Sequence, residues 1–400
     1  IESPPMSLFN REEVIDQNFT RCVADEEFPK AKTELYLPQN NIQKTELISI
    51  FESQVISRHI DIYARELKDK GECFYTIGSS GHEGNAVFGR LFPYSDIAFL
   101  HYRSAPFFLE RSRQIPNSTP IHDTALSFMA SSEDPISGGR HKVIGSEKLN
   151  IPPQTSTIAS HLPKAVGTAF SIDRAKDLSL SEGKLSNESM VLCSFGDASA
   201  NHATALSAFN TACWISSQGG HVPIVFICED NGTGISVPTD GKWIENNFSN
   251  RYGMEYLKAD GLHLIDLIIQ ATKAQKICRI KRVPIFLHMK TVRLMGHAGS
   301  DVEVGYRDIK DIEEDERNDP LTHSARIMIE NSCLTKEEVV SLYEKTRTQV
   351  RHVFENAISR PKLKKVSEVM ASIVSNKHTR TRPKYPSKNL REKTFGKEFS

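Results

Sequence analysis

The sequence predicts an α/β protein with a doubly wound, mostly parallel sheet flanked by helices. Four apolar runs are continuous rather than alternating, which is typical of strands covered on both faces. These runs are 97–103, 190–197, 222–231 and 283–293. Stretches with helical character alternate with them, and this alternation favours a doubly wound domain. The helical stretches are 160–172, 199–216 and 262–281.

Two further helices have clear sequence signals. Residues 44–70 carry apolar side chains at helical spacing, and Gly71 follows as a stop. Thr335 and Glu338 have the spacing of a capping box, and apolar residues recur at helical spacing after them.

These patterns predict one α/β domain over residues 44–360. An irregular, proline-containing arm is expected before it, over 1–43. A basic linker or tail, with few aliphatic residues, is expected over 361–400.

Composition argues against several classes of partner. The chain has 400 residues, and 50 Lys+Arg balance 50 Asp+Glu. We therefore expect neither nucleic acid nor an anionic membrane as partner. Apolar runs stay below the roughly 20 residues that span a bilayer, and the first residues lack a signal-peptide pattern. The seven cysteines have no metal-ligand or redox spacing, so we expect reduced thiols in a cytoplasmic protein.

Polar and small residues follow each predicted strand. In open parallel sheets, ligands bind beyond the carboxyl ends of the strands, so these groups should converge if the four strands share one sheet. The segments are 101–103, 196–199, 229–234 and 293–297.

The residue types in these segments suit a phosphate-bearing ligand with a metal ion. Arg103 suits a phosphate oxygen, Asp197 and Asn231 offer oxygens that Mg²⁺ prefers, and His297 can act as acid or base. Taken singly the signals are weak, because a strand-terminal Asp is commonly a helix cap. The glycine-rich 78–85 is no phosphate loop, since no Gly-Lys-Ser/Thr follows.

The string "FGDASANHATALSAFN…ICEDNGTGIS" resembles the thiamine-diphosphate motif, in which Gly-Asp-Gly and a helix precede Asn-Asn after the next strand. More narrowly, residues 44–360 resemble the alpha subunit of the decarboxylating first component of 2-oxoacid dehydrogenase complexes. Other segments match that family in order. They are Arg58 and Asp61, 79–84, 101–103, 155–167 and 293–301.

The resemblance implies a thiamine-diphosphate-binding fold with thiamine diphosphate and Mg²⁺ as cofactors. Tyr102 and Arg103 would hold the diphosphate. The carboxylate of Asp197, the side chain of Asn231 and the carbonyl of Thr233 would ligate Mg²⁺.

The remaining site residues also follow from the resemblance. Ser156 and Ile158 would line the aminopyrimidine, and Ile235 would pack on the ring. His297 would lie near the thiazolium carbon and assist attack on the 2-oxo acid or transfer to the lipoyl group. Four residues complete the cofactor-binding set: Gly196, Ala198, Ser199 and Arg293.

Four positions depart from the family pattern. Ala198 replaces the second Gly of Gly-Asp-Gly, and Asp230 replaces the first Asn, which adds a negative charge beside Asn231. His161 replaces a common Gln and puts a structural cation site there in doubt. Ala298 stands where several members carry a phosphorylated Ser, so kinase control at that position is not expected.

The resemblance implies thiamine-dependent oxidative decarboxylation of a 2-oxo acid, with acyl transfer to the lipoyl domain of the acyltransferase component. Branched-chain acids such as 2-oxoisovalerate are favoured, with pyruvate next. Two alternatives stay open: the alpha subunit of acetoin dehydrogenase, and a non-catalytic scaffold that binds only cofactor or partner.

A beta chain is the partner that the resemblance implies. In this family it supplies the glutamate beside the aminopyrimidine, and no convincing candidate stands here, because Glu83 and Glu229 match other positions. We therefore expect an α2β2 heterotetramer and no activity from this chain alone. The beta region is either a separate chain or fused beyond the tail.

Overall fold

The structure is a computed structural model of the chain, which describes residues 10–30, 42–178, 186, 188–373 and 389. Contacts divide the chain into two units, Ile1–Lys362 and Leu363–Ser400. The site and the sheet both belong to the first unit.

A five-stranded parallel sheet forms the centre of the first unit. Its strands are β1 (Ile97–Phe99), β2 (Val191–Gly196), β3 (Ile224–Asp230), β6 (Glu255–Asp260) and β7 (Ile285–Lys290), in the order β1-β2-β3-β7-β6. Every neighbouring pair is parallel. Two short antiparallel strands, β4 (Thr233–Gly234) and β5 (Val237–Pro238), follow β3. The predicted parallel α/β fold is thus confirmed.

Helices surround the sheet. The longer ones are α1 (Arg11–Asp25), α2 (Lys44–Asp69), α6 (Leu162–Asp177), α7 (Ala203–Ser217), α9 (Leu264–Lys281), α11 (Pro320–Glu330) and α12 (Lys336–Ile358). The shorter ones are α3 (Ala86–Leu91), α4 (Ala105–Ser112), α5 (Pro120–Phe128), α8 (Trp243–Phe248) and α10 (Ile309–Arg317). Among the described helices, none is long and apolar enough to cross a bilayer.

Both faces of the sheet are covered by apolar cores. Along β3, Val225 and Ile227 belong to the core on one face, and Phe226 and Cys228 belong to the core on the other. This alternation follows from the two-residue period of a strand. A strand buried on both faces needs apolar residues at every position, which explains the continuous apolar runs.

The expected irregular arm is wrong over residues 11–25, because these residues form helix α1. Ile15, Phe19 and Val23 recur every four residues and are buried, and the ring of Phe19 stacks on Tyr343 at 4.2 Å between centroids. The prolines in 1–43 obscured this short apolar stripe. Residues 1–9 and 31–41 lie outside the described part of the chain.

The sequence patterns also missed strand β6, at the edge of the sheet beside β7. Its residues mix exposed, half-buried and buried positions, and Glu255 and Lys258 interrupt any continuous apolar run. In the second unit a short helix, α13, spans Val366–Met370. The tail prediction over 374–388 and 390–400 lies outside the described residues.

Candidate active site

The segments after β1, β2, β3 and β7 meet at the carboxyl edge of the sheet, where they line a pocket of about 180 Å³. The convergence expected from a shared sheet is therefore confirmed. The lining includes every predicted site residue but one, and adds His101 and Gly234. The predicted residues are Tyr102, Arg103, Ile158, Gly196, Asp197, Ala198, Ser199, Asn231, Thr233, Ile235, Arg293 and His297.

Ser156 is the predicted residue that the structure does not bring to the pocket lining. It is exposed, and its hydroxyl is hydrogen-bonded to Nε2 of His141. Ile158, two residues later, does line the pocket. The turns before α6 therefore present one residue of this segment to the pocket and leave the other outside.

Asp197 supplies a buried carboxylate at the end of β2. It opens a short 3₁₀ turn over Asp197–Asn201 and is only 3% exposed. Its Oδ2 accepts a hydrogen bond from the hydroxyl of Thr239. Burial raises the pKa of Asp197, and the negative charge of Asp230 adds to this effect. A bound cation would relieve both costs.

Asn231 and Thr233 supply oxygens at the end of β3. The backbone N–H of Thr233 donates to Oδ1 of Asn231 at 3.0 Å, and Nδ2 of Asn231 lies 3.0 Å from Nε2 of His82. Both residues line the same pocket as Asp197. A carboxylate, an amide oxygen and a carbonyl are ligands suited to Mg²⁺.

Arg103 supplies a buried positive charge. Its Nη1 donates to the carbonyl of Gly78 at 2.5 Å, and Nη2 donates to the carbonyl of His297 at 3.1 Å. Within the described part of the chain, no carboxylate lies within ion-pairing distance of it. Burial lowers the pKa of Arg103. Such a cation suits an anionic ligand.

Arg293 ties the segment after β7 to the β3 side of the pocket. It donates to the carbonyl of Ile235 at 2.7 Å and to the hydroxyl of Tyr306 at 2.7 Å. Ile235 itself has φ of 59°, a left-handed conformation that is rare and strained for a β-branched residue. The bond from Arg293 holds this conformation in place.

His297 is half-buried on the loop after β7. Its backbone N–H donates to Oδ2 of Asp301 at 2.6 Å, and its Nδ1 lies 3.4 Å from Nη2 of Arg103. Burial and the nearby positive charges of Arg103 and Arg293 lower the pKa of His297 to about 4. Because arginine can only donate, Nδ1 accepts, and the ring proton is left on Nε2.

The glycine-rich segment 78–85 contacts residues of the pocket lining, since the carbonyl of Gly78 accepts a hydrogen bond from Arg103. Oδ2 of Asp61 accepts from the backbone N–H groups of Ser79 and Ser80 at 2.6 and 2.7 Å. A Cβ on Gly81 would stand 2.2 Å from the carbonyl of Val292, so only glycine fits there. Arg58 donates to Oε1 of Glu83. The two helix residues matched by the resemblance, Arg58 and Asp61, thus support this segment.

His82, His101 and Glu229 form a buried cluster that sequence reasoning missed. Nδ1 of His82 lies 2.6 Å from Oε2 of Glu229. His101 lines the pocket, and among the described residues its two ring nitrogens have no hydrogen-bond partner. Burial lowers the pKa of His82 and of His101, which favours neutral rings. A histidine inside a glycine-rich segment was the signal that could have pointed to this cluster.

A larger cavity of about 600 Å³ opens beside the pocket and shares Asn231 and Thr233 with it. Its charged lining residues are four carboxylates and one arginine: Asp308, Asp311, Glu314, Asp315 and Arg307. This mostly acidic lining suits a phosphate poorly, so we place the candidate anion site in the smaller pocket.

His161 stands where the family resemblance would place a structural cation site. Its Nε2 lies 2.8 Å from the carbonyl oxygen of Ser194, and this oxygen can only accept. The imidazole therefore donates a hydrogen bond there.

The fold and site place the chain among doubly wound α/β proteins with a ligand pocket at the carboxyl edge of the sheet. A family profile described as "Dehydrogenase E1 component" matches residues 52–366. The chain belongs to this family.

Characterised relatives agree with this family. The mitochondrial 2-oxoisovalerate dehydrogenase subunit alpha of Caenorhabditis elegans is 25% identical over 301 residues, covering 73% of this chain and 64% of the relative. The human counterpart is 23% identical over 332 residues, covering 80% and 69%. The 2-oxoisovalerate dehydrogenase subunit alpha of Bacillus subtilis (strain 168) is 23% identical over 322 residues, covering 79% and 92%. The chain thus spans under two thirds of the nematode protein.

The family implies thiamine diphosphate as cofactor, and the pocket fits its diphosphate end. Arg103 is a buried cation without a carboxylate partner in the described chain, and His101 has two unpartnered ring nitrogens. Asp197 is a buried carboxylate with a raised pKa. An anion and a divalent cation bound together would satisfy all three groups.

Proposed function

We propose that this chain is the alpha subunit of a 2-oxoacid dehydrogenase that decarboxylates a 2-oxo acid with thiamine diphosphate and Mg²⁺, and passes the acyl group to a lipoyl domain. One observation carries the proposal. Arg103, which has no carboxylate partner among the described residues, and the buried carboxylate of Asp197 line one pocket, and this pair of charges suits a diphosphate together with a metal ion.

The protein residues have separate tasks in this proposal. Tyr102 and Arg103 hold the diphosphate, and Asp197, Asn231 and the carbonyl of Thr233 hold Mg²⁺. The cofactor, when bound, supplies the electron sink for loss of CO₂. The chain supplies orientation and a placed proton donor.

His297 is the proposed catalytic residue. With Nδ1 facing Arg103, its Nε2–H is the group that can donate to the oxygen of a 2-oxo acid or a lipoyl sulfur. The bond from its backbone N–H to Asp301 and the edge-on ring of Tyr102, 5.9 Å away between centroids, orient the imidazole.

A branched-chain 2-oxo acid is the proposed substrate, with pyruvate next. The relatives' names supply the support, since each is a 2-oxoisovalerate dehydrogenase subunit alpha. The residues of the pocket bind cofactor rather than substrate, and site chemistry alone does not discriminate between side chains of the acid.

A beta chain in an α2β2 assembly is the proposed partner. The relatives' names support this partner, since each is a subunit alpha. Single large apolar side chains are also exposed on the described surface, among them Phe74 at 84%, Tyr252 at 82% and Trp214 at 66%. The catalytic glutamate would come from this partner.

Steady-state decarboxylation tests the proposal. The assembled alpha and beta chains are assayed for CO₂ release from 2-oxoisovalerate, pyruvate and 2-oxoglutarate, and for cleavage of acetoin. We expect the highest kcat/KM with 2-oxoisovalerate and no turnover by the alpha chain alone. His297→Ala should lower turnover at least about 100-fold, whereas His122→Ala, at a half-buried position outside the pocket, should not. Turnover that survives His297→Ala would remove the catalytic role of that residue.

A further inference from the structure

We infer that His82, held by Glu229, fixes the side-chain amide of Asn231 with its oxygen at the cation end of the pocket. His82 is thus a positioning residue for a Mg²⁺ ligand, and the inference rests on the proposed function. The relay runs from Oε2 of Glu229 through the His82 ring to Asn231.

Hydrogen-bond chemistry allows one consistent proton assignment along the relay. The backbone N–H of Thr233 points at Asn231 from 3.0 Å, so the amide oxygen must stand there. The amide nitrogen therefore faces Nε2 of His82 at 3.0 Å. Nε2 must accept from this nitrogen, and the ring proton is left on Nδ1, which donates to Glu229 at 2.6 Å.

Burial makes this assignment hard to exchange for another. The side chains of His82 and Glu229 are both 0% exposed, so water does not compete for their polar atoms. Asn85 also directs Nδ2 at the same Glu229 oxygen, from 3.4 Å. A flipped Asn231 amide would bring two N–H donors together at Thr233. The opposite ring tautomer would leave the Glu229 carboxylate with only the longer hydrogen bond from Asn85.

The relay determines which atom of the Asn231 amide faces the candidate cation site. The Asn231 oxygen accepts from Thr233 and keeps a second lone pair, while its nitrogen is held away by His82. A side-chain amide that rotates freely would present nitrogen to the cation for part of the time. Groups that orient a metal ligand in this way commonly change metal affinity 10–100-fold when removed.

The cluster of His82, His101 and Glu229 has an alternative interpretation as a separate metal site. Ligand atoms of His82, His101 and Glu229 lie within 4.8 Å of one another. In the assigned relay, however, the Nδ1 proton and the Nε2 lone pair of His82 are both engaged. A metal on His82 would have to displace one of these hydrogen bonds, so the structure favours the relay.

Two variants of similar size test the hydrogen bonds of the two ring nitrogens of His82 separately. His82→Gln can keep an acceptor facing Asn231, and His82→Asn can keep a donor facing Glu229 but leaves Asn231 without a partner. The probe is Mn²⁺ affinity, by electron paramagnetic resonance, in the alpha–beta assembly with thiamine diphosphate. His122→Asn, at a half-buried histidine outside the pocket, is the matched control. Unfolding midpoints without ligand show that each variant is folded.

We expect His82→Asn to weaken Mn²⁺ binding at least about tenfold, and His82→Gln and His122→Asn to stay within about threefold of the wild type. Equal losses in both His82 variants, or wild-type affinity in His82→Asn, would overturn the inference. Zinc bound stoichiometrically by the wild type and lost in His101→Gln would also overturn it. Failure of the proposed function has a different signature, since the wild-type assembly would then bind neither Mn²⁺ nor thiamine diphosphate.

The ring tautomer gives a readout that needs no cofactor. Selective ¹⁵N-histidine labelling of the full chain, with His82→Gln to assign the signal, reports which ring nitrogen carries the proton. We expect Nδ1–H for His82. An Nε2–H tautomer overturns the relay whether or not the cofactor binds.

Discussion

Asp230 and Lys290 are register partners on strands β3 and β7, and the ammonium group lies 2.8 Å from Oδ2 of the carboxylate. Nε2 of His288 lies 2.7 Å from the same oxygen. Burial alone would raise the pKa of Asp230, but the hydrogen bonds from His288 and Lys290 bring it below its ordinary value. The extra negative charge expected beside Asn231 is thus balanced from the neighbouring strand.

Lys290→Met should therefore destabilise the protein by about 1 kcal/mol, because a buried carboxylate loses its charged partner while the lysine itself is partly exposed. Asp230→Asn should remove most of that cost in the double variant. Urea unfolding of the two single variants and the double variant measures the coupling. Strictly additive effects would show that the pair is not coupled.

Gly234→Ala should destabilise the protein by about 1–3 kcal/mol, because the new Cβ would stand 2.7 Å from the Cβ of Ala198. The departure from Gly-Asp-Gly at Ala198 is accommodated by the missing side chain at position 234. Ala198→Gly should rescue Gly234→Ala, which a double-mutant cycle of unfolding free energies tests. If the double variant is no more stable than Gly234→Ala, the two residues do not share this space.

Arg103→Met should abolish stabilisation by inorganic diphosphate, because Arg103 is the buried cation of the pocket. In the wild type, diphosphate at about 100 times its Kd should raise the unfolding free energy by about 2.7 kcal/mol. Thermal unfolding with and without diphosphate measures this. Arg317→Met, at an exposed ion pair, is the control and should respond as the wild type does. An undiminished shift in Arg103→Met would contradict the anion site.

Acid should destabilise the protein below about pH 6.5. Burial and the charge of Arg347 lower the pKa of His59 to about 3, against an unfolded value near 6.5. Because the unfolded state binds the proton more readily, this contribution to stability is complete above 6.5 and lost as the pH falls towards 3. The slope is up to about 1.4 kcal/mol per pH unit for each such histidine.

His59→Phe isolates that contribution. The ring lies 4.2 Å from Tyr343 between centroids, and Nε2 has no partner among the described residues, so a phenyl ring fits with little loss. Urea midpoints measured from pH 7.5 to 5 should fall less steeply for His59→Phe than for the wild type. Identical slopes would rule out His59 as a source of the acid sensitivity.

The sequence predicted those strands that are buried on both faces of the sheet. Strands β1, β2, β3 and β7 carry apolar residues at consecutive positions, because both faces are covered, and such runs are visible in the sequence. Strand β6 lies at an edge, where Glu255 and Lys258 reach solvent, so its pattern is mixed. Helix α1 has a stripe of only three apolar residues, which prolines elsewhere in 1–43 obscured.

The sequence predicted those site residues that directly follow a strand. Residues such as Asp197 and Asn231 stand where strands end, and one topological rule brings them together. The contact between His82 and Glu229 joins residues 147 positions apart, and no periodicity or motif records such a pair. Ser156 lies outside the pocket lining for a related reason, because the direction of a side chain in a turn depends on local geometry that spacing does not encode.

Calorimetric titration of thiamine diphosphate, with Mg²⁺, into the alpha–beta assembly tests the central claim most directly. We expect the wild type to bind in a Mg²⁺-dependent manner, and Asp197→Ala to lose that dependence with at least about a 100-fold weaker Kd. Asp123→Ala, at a half-buried carboxylate outside the pocket, should bind as the wild type does. Unchanged affinity and unchanged Mg²⁺ dependence in Asp197→Ala would contradict the site and the function built on it.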